Sequence, residues 1–185
     1  MGYEIELKVW VDEPEQTEKE LEKRYSFDRQ FRKRDTYYRF PEKSDTPDRT
    51  VRIRREGSSS FVTSKIKKVV EDLEENEELE LEVSDPDKIE ALIQLLGCRF
   101  LIRKEKTGKR YIKGNLILEL SRITDLGWFL EIEKVLEERT EDSVRAARGE
   151  ISQTLKEIGI SEEKIETRFY NDMLLEIQAG PTGKS

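Results

Sequence analysis

Charged and apolar side chains alternate residue by residue in short runs along this chain, and that pattern most restricts how it can fold. The first run is Glu4-Ile5-Glu6-Leu7-Lys8. In an extended strand successive side chains project to opposite faces, so Glu4, Glu6 and Lys8 share one face while Ile5 and Leu7 share the other. Two carboxylates and an ammonium on one face can hold a divalent metal beside a proton-transfer group. The same grammar returns with changing sign. Glu80/Glu82 and Glu131/Glu133 repeat the acidic pair, and Arg52/Arg54, Lys65/Lys67 and Lys104/Lys106 are its basic counterparts.

Strands are read over 3–11, 30–40, 50–56, 61–68, 77–83, 100–106, 110–113, 116–123 and 128–136, with turns at Gly57 and at Gly114-Asn115. Helices are fewer. One runs over 14–24; another opens at Asp85 with Pro86 behind it and ends near Gly97; a third is capped by Thr140 and stopped by Gly159; Ser161 caps a short fourth. The second and third carry apolar stripes: Ile89, Leu92, Ile93 and Leu96, then Val144, Ala147, Ile151, Leu155 and Ile158. Alternation alone lets the charged strand faces point outward to water or inward to a wet lumen. Strands with one apolar and one charged face can close into a barrel; helices wrapped outside it need apolar faces to cover, and that arrangement leaves the charges inside. Such an interior is tolerable only where opposite signs, water, metal and ligand compensate one another.

Composition narrows the chemistry. Of 185 residues 41% are charged, with a net charge of −7. An acidic chain is a poor general nucleic-acid binder. Yet Arg49, Arg52, Arg54, Arg55, Lys65, Lys67 and Lys68 face a single acid, Glu56, across one stretch. Cations concentrated in this way point to a compact polyanion bound at a defined place. The chain has no histidine, which removes imidazole catalysis and His-ligated zinc, and its one cysteine, Cys98, allows no internal disulfide. With no 18-residue apolar run and an acidic N-terminus, no membrane association is expected and the cytoplasm is the expected compartment. Gly183-Lys184-Ser185 echoes the end of a P-loop but lacks its leading glycine and following helix.

These residues carry a resemblance. EIELK at 4–8 matches the ExExK signature of the CYTH superfamily, the triphosphate tunnel metalloenzymes, which include class IV adenylyl cyclases, thiamine triphosphatases and inorganic triphosphatases. RDTYY at 34–38 resembles the family's DxY element, TVRIRRE at 50–56 its RxR strand, and TSKIKK at 63–68 its TxK strand. DLGWFLEIE at 125–133 is similar to LGxFxExE, and RFYNDMLLE at 168–176 to the closing SYxxLL segment. The elements follow the family order over about the whole chain.

The resemblance implies a β-dominated α+β fold: an eight-stranded antiparallel closed barrel forming a tunnel, with helices packed outside. Residues 1–176 would be one domain and 177–185 a disordered tail. It further implies that Glu4 and Glu6, with Glu131 and Glu133, hold Mg²⁺ or Mn²⁺, hard cations that take carboxylate oxygen. Arg52, Arg54, Lys65, Lys104 and Lys106 would grip phosphate oxygens. Lys8 would orient or deprotonate the nucleophile, its pKa lowered among so many cations.

Three positions depart from the family pattern. Ser121 stands near a usual aspartate, leaving Glu119 as the nearest acid on that face and a further candidate metal ligand. Gly108 replaces a common arginine, whose region Arg110 can reach, and Arg39 replaces an acid. Tyr37 and Tyr170 read as packing or as substrate contacts, Trp10 and Trp128 as core or interface, and Glu78, Glu80 and Glu82 as a charge-compensating wall. The expected activity is hydrolysis of a phosphoanhydride in tripolyphosphate, thiamine triphosphate or a nucleoside triphosphate. The alternatives are cyclisation of ATP to cyclic AMP and pyrophosphate, and a non-catalytic triphosphate-binding barrel. The expected partner is the small-molecule substrate, with no nucleic acid; relatives are monomers or homodimers.

Overall fold

The apolar halves of the alternating runs are buried on the outside of a curled sheet. In the computed structural model the described residues are 2–40, 50–70 and 72–180, without the side chains of 65–68 and 76–77. They form β1 (Gly2–Trp10), α1 (Pro14–Arg24), β2 (Ser26–Arg39), β3 (Thr50–Glu56), β4 (Ser59–Val70), β5 (Leu73–Glu82), α2 (Pro86–Leu95), β6 (Arg99–Lys113), β7 (Leu116–Ile123), β8 (Gly127–Leu136), α3 (Glu141–Ile158), a 3₁₀ turn at Glu162–Lys164, and α4 (Tyr170–Ala179). The strands pair antiparallel in the order β1-β5-β4-β3-β2-β6-β7-β8, and β8 pairs in turn with β1.

The main core lies between this sheet and two helices. Ile5, Leu7 and Val9 of β1, Leu118 and Leu120 of β7, and Leu130 and Ile132 of β8 meet Leu21 of α1 and Ala147, Ile151 and Leu155 of α3. Val9, Leu118, Leu130, Ile132 and Ile151 are 0% exposed. On the other side Ile93 of α2 packs with Val51 and Ile53 of β3 and with Tyr38 and Cys98. The helix ends follow the caps read from sequence. Asp85 accepts from the Lys88 amide, Thr140 forms a reciprocal capping box with Ser143, and Gly159 ends α3 at φ 82°. Among the described residues no helix is long and apolar enough to cross a membrane.

Several boundaries differ from the sequence reading, for connected reasons. The runs 100–106 and 110–113 are one strand, β6. Gly108 does not break it, because the strand needs a residue without Cβ there: a Cβ would meet the Leu120 carbonyl oxygen at 2.3 Å and Ser121 Cα at 2.7 Å. A continuous β6 then offers partners to the start of β2, which begins at Ser26 opposite Ile112 rather than at residue 30. In the same way β5 begins at Leu73, opposite Val70 of a longer β4, rather than at residue 77. Residues 177–179, expected in the tail, are the last turn of α4, whose Leu174 is buried with Tyr37 and Ile102. The tail beyond, 181–185, lies outside the described residues.

Candidate active site

The charged faces opposite that core converge on one cavity of about 1030 Å³. Its wall includes Glu4 and Glu6 of β1, Tyr37 of β2, Arg52 and Arg54 of β3, Lys104, Lys106 and Arg110 of β6, Glu119 of β7, and Glu131 and Glu133 of β8. The inward direction of the charges, which alternation left open, follows from the helices covering the other face. Lys65 occupies its expected place in β4, opposite Thr50 and Glu78, but its side chain lies outside the described residues. Lys8 is brought close without being on the wall. It is 2% exposed, its ammonium paired with Glu74 at 2.9 Å and 4.7 Å from the centre of the Tyr170 ring. The charge on Lys8 is therefore met by a carboxylate, where a crowd of cations was expected.

The buried charges are organised in opposite-sign clusters, as the cost of burying an unpaired charge demands. Arg54 donates from Nε to Asp35 Oδ1 at 2.7 Å and from Nη2 to Oδ2 at 2.9 Å; Lys104 Nζ lies 3.5 Å from the same carboxylate, and Tyr37 donates to it at 3.4 Å. Burial alone would raise the pKa of Asp35. Arg54, Lys104 and Arg52 override it and hold the carboxyl well below its usual range. Lys33 and Lys106 meet Glu119 at 2.5 and 2.7 Å, and Lys106 also reaches Glu131. Burial pushes Lys106 down to about 8 against the pull of Glu119, while the two lysines hold Glu119 far down despite its own burial. Arg52 donates to Thr63 at 2.9 Å and to Glu80 at 3.1 Å.

Lys33, Asp35, Thr63 and Glu74 were not singled out from sequence as site groups. Asp35 entered only as a motif letter; its spacing of two from Tyr37 and from Lys33 is the signal that all three share a face. Glu74 was hidden by the late start assigned to β5. Thr63 carried no charge to draw attention. Gly108 makes room rather than contact, and Arg110 lies on the wall near Asp28, 3.4 Å away.

The carboxylates have the donor chemistry a hard cation takes. Glu6 stands directly opposite Glu133 on β8 and Glu74 on β5, a row of three carboxylates across three strands, with Glu4 two residues along. Like charges directly opposite one another repel. Among the described residues no three such groups already converge on one point. Glu4, Glu6, Glu119, Glu131 and Glu133 all line the cavity, Glu119 and Glu131 paired with lysines.

Known proteins resemble this chain over most of its length. A Methanocaldococcus jannaschii protein, named as a candidate adenylate cyclase, is 27% identical over 173 residues, covering 92% of this chain and 97% of that protein. The structure of a Pyrococcus horikoshii protein superposes with a TM-score of 0.81 at 28% identity, covering 94% of this chain and 99% of the other. A Hippeastrum protein, described as a candidate adenylyl cyclase with a dominant triphosphatase activity, shares the fold at TM-score 0.61 and 19% identity over 97% of this chain and 96% of its own. Residues 2–170 match the CYTH domain family, and the chain belongs to it.

Proposed function

We propose that this protein is a metal-dependent enzyme that hydrolyses a phosphoanhydride of a small triphosphate inside a closed eight-stranded tunnel. The observation that carries the reading is the meeting of Arg52, Arg54, Lys104 and Lys106 with Glu4, Glu6 and Glu133 on the wall of one cavity. Tripolyphosphate, thiamine triphosphate and nucleoside triphosphates share the polyanion that such a wall recognises. The cations, with Lys65, take the non-bridging oxygens and stabilise charge that shifts onto the leaving phosphate. Mg²⁺ or Mn²⁺ held by Glu4, Glu6 and Glu133 would supply further neutralisation of that charge. Water attacks phosphorus, the bridging P–O bond breaks with its electron pair kept on the oxygen of the leaving phosphate, and the proton lost by the water passes to the released phosphate or to solvent. Lys8, paired with Glu74, is the group assigned to orient the attacking water.

The description of the Hippeastrum relative supports hydrolysis, and the name of the archaeal relative supports the alternative, attack by the ribose 3′-hydroxyl of ATP on its α-phosphate to give cyclic AMP. The same reading takes residues 1–176 as one catalytic domain working in the cytoplasm, as a monomer or a homodimer. Phosphate release from tripolyphosphate, thiamine triphosphate and ATP with each metal, measured beside cyclic AMP formation, tests it. Turnover to phosphate is expected, and Glu6→Gln or Lys8→Ala is expected to abolish it with circular dichroism unchanged. Cyclic AMP as the main product would turn the assignment to a cyclase. Triphosphate-dependent thermal stabilisation without turnover would make the protein a binder.

A further inference from the structure

The first turn of α4 forms part of the cavity wall: Phe169, Tyr170, Asn171 and Asp172 all line it. Behind them Met173 is buried with Phe129 and Ile123, and Leu174 with Tyr37 and Ile102, so this turn is anchored to the sheet on two sides. Phe169 stands at the N-cap, where no side-chain hydrogen bond caps the helix. A helix start of this kind favours an anion.

Tyr170 supplies an independent observation. It is 7% exposed, and its hydroxyl makes no hydrogen bond. An unmade buried hydrogen bond is destabilising, and native structures rarely carry one without a use. Tyr170 lines the cavity, whose wall also carries the carboxylates Glu6, Glu74 and Glu119. Burial first, and then those carboxylates, push its pKa well above the usual value, so it remains a proton donor. Its ring is flanked by cations, Lys8 Nζ at 4.7 Å and Lys104 Nζ at 5.0 Å from the centroid, and meets Phe129 edge-on at 5.0 Å.

We infer that the first turn of α4 is the subsite for the unesterified end of a phosphate chain, with the Tyr170 hydroxyl donating to a terminal phosphate oxygen. A free phosphoryl end offers three non-bridging oxygens to that donor and to Lys104 on the same wall; an esterified end offers fewer and brings carbon against them. The inference rests on the triphosphate reading and adds a direction to it. The free end goes toward α4, and any organic group stays toward Phe31, Phe61 and Ile117 elsewhere on the wall.

Tyr170→Phe removes the hydroxyl and keeps the ring, so it separates donation from packing. The experiment is calorimetric titration of wild type and variant with tripolyphosphate and with diadenosine triphosphate, both of whose ends are esterified, in Mg²⁺, alongside thermal unfolding of each protein alone. The variant alone is expected to melt at or above the wild-type temperature and to bind tripolyphosphate about tenfold more weakly, the loss of one hydrogen bond to a charged group. Wild type is expected to prefer tripolyphosphate over diadenosine triphosphate, and the variant to lose part of that preference. Equal tripolyphosphate affinity in the two proteins overturns the subsite and leaves the triphosphate function standing, whether or not the variant melts lower. No binding of tripolyphosphate or ATP to wild type removes both.

Discussion

At the scale of single residues, the site depends on charges that hold other charges. Asp35 fixes both Arg54 and Lys104, so it is a positioning residue for two of the assigned phosphate ligands. Asp35→Asn leaves those cations buried without their counter-ion and is expected to cost about 3–5 kcal/mol of stability at pH 7, as well as weakening triphosphate binding. The pH dependence follows from the depressed carboxyl. In the unfolded chain the group titrates near 3.9, and in the folded protein it titrates lower, so in the interval between them the unfolded state binds more protons. Its contribution is thus complete above about pH 4 and is lost as pH falls further. Urea unfolding of wild type and Asp35→Asn should show a gap that is constant from about pH 5 to 7 and shrinks below about pH 4. A gap independent of pH would mean that Asp35 acts by shape alone. Asp35 was legible only as one letter of a motif. Alternation shows that it shares a face with Lys33 and Tyr37, and it cannot show that Arg54 lies across the strand pair at bonding distance.

Most elements were legible because their signals are local. The Thr140 capping box, the Asp85-Pro86 start and the Gly159 stop belong to a few neighbouring residues, and the helices begin and end where those residues say. Strand lengths were less legible, since a strand extends as far as its neighbour offers partners. Gly108 shows the difference: read alone it marks a break, whereas in the sheet it lets β6 lie against Ser121 of β7. Gly108→Ala puts a methyl group on the Leu120 carbonyl, and the strands must part to admit it. We expect a loss of about 1–3 kcal/mol by denaturant unfolding, typical of overpacking, with reduced activity because Lys106 and Arg110 flank the same position. An unchanged unfolding midpoint would show that the strands separate freely at this point.

Over the whole molecule, the core and the site lie on opposite faces of one sheet. The apolar faces of β1, β7 and β8 are sealed by α1 and α3, and the charged faces enclose the cavity. Stability and chemistry should therefore separate under mutation. Ile151→Ala, at the centre of the outer core, is expected to cost about 2–5 kcal/mol while leaving kcat unchanged at temperatures where the variant stays folded. A large fall in kcat would show that the α3 side and the lumen are coupled. Spacing along the backbone was enough to tell which residues share a face, that several strands carry one charged and one apolar or mixed face, and where most helices are capped. Only the tertiary structure decided which charges pair, that Lys8 sits behind the wall on Glu74, and that α4 contributes Tyr170 to the cavity. Those outcomes depend on register and curvature around the sheet, which bring together side chains far apart in sequence at distances no local pattern encodes.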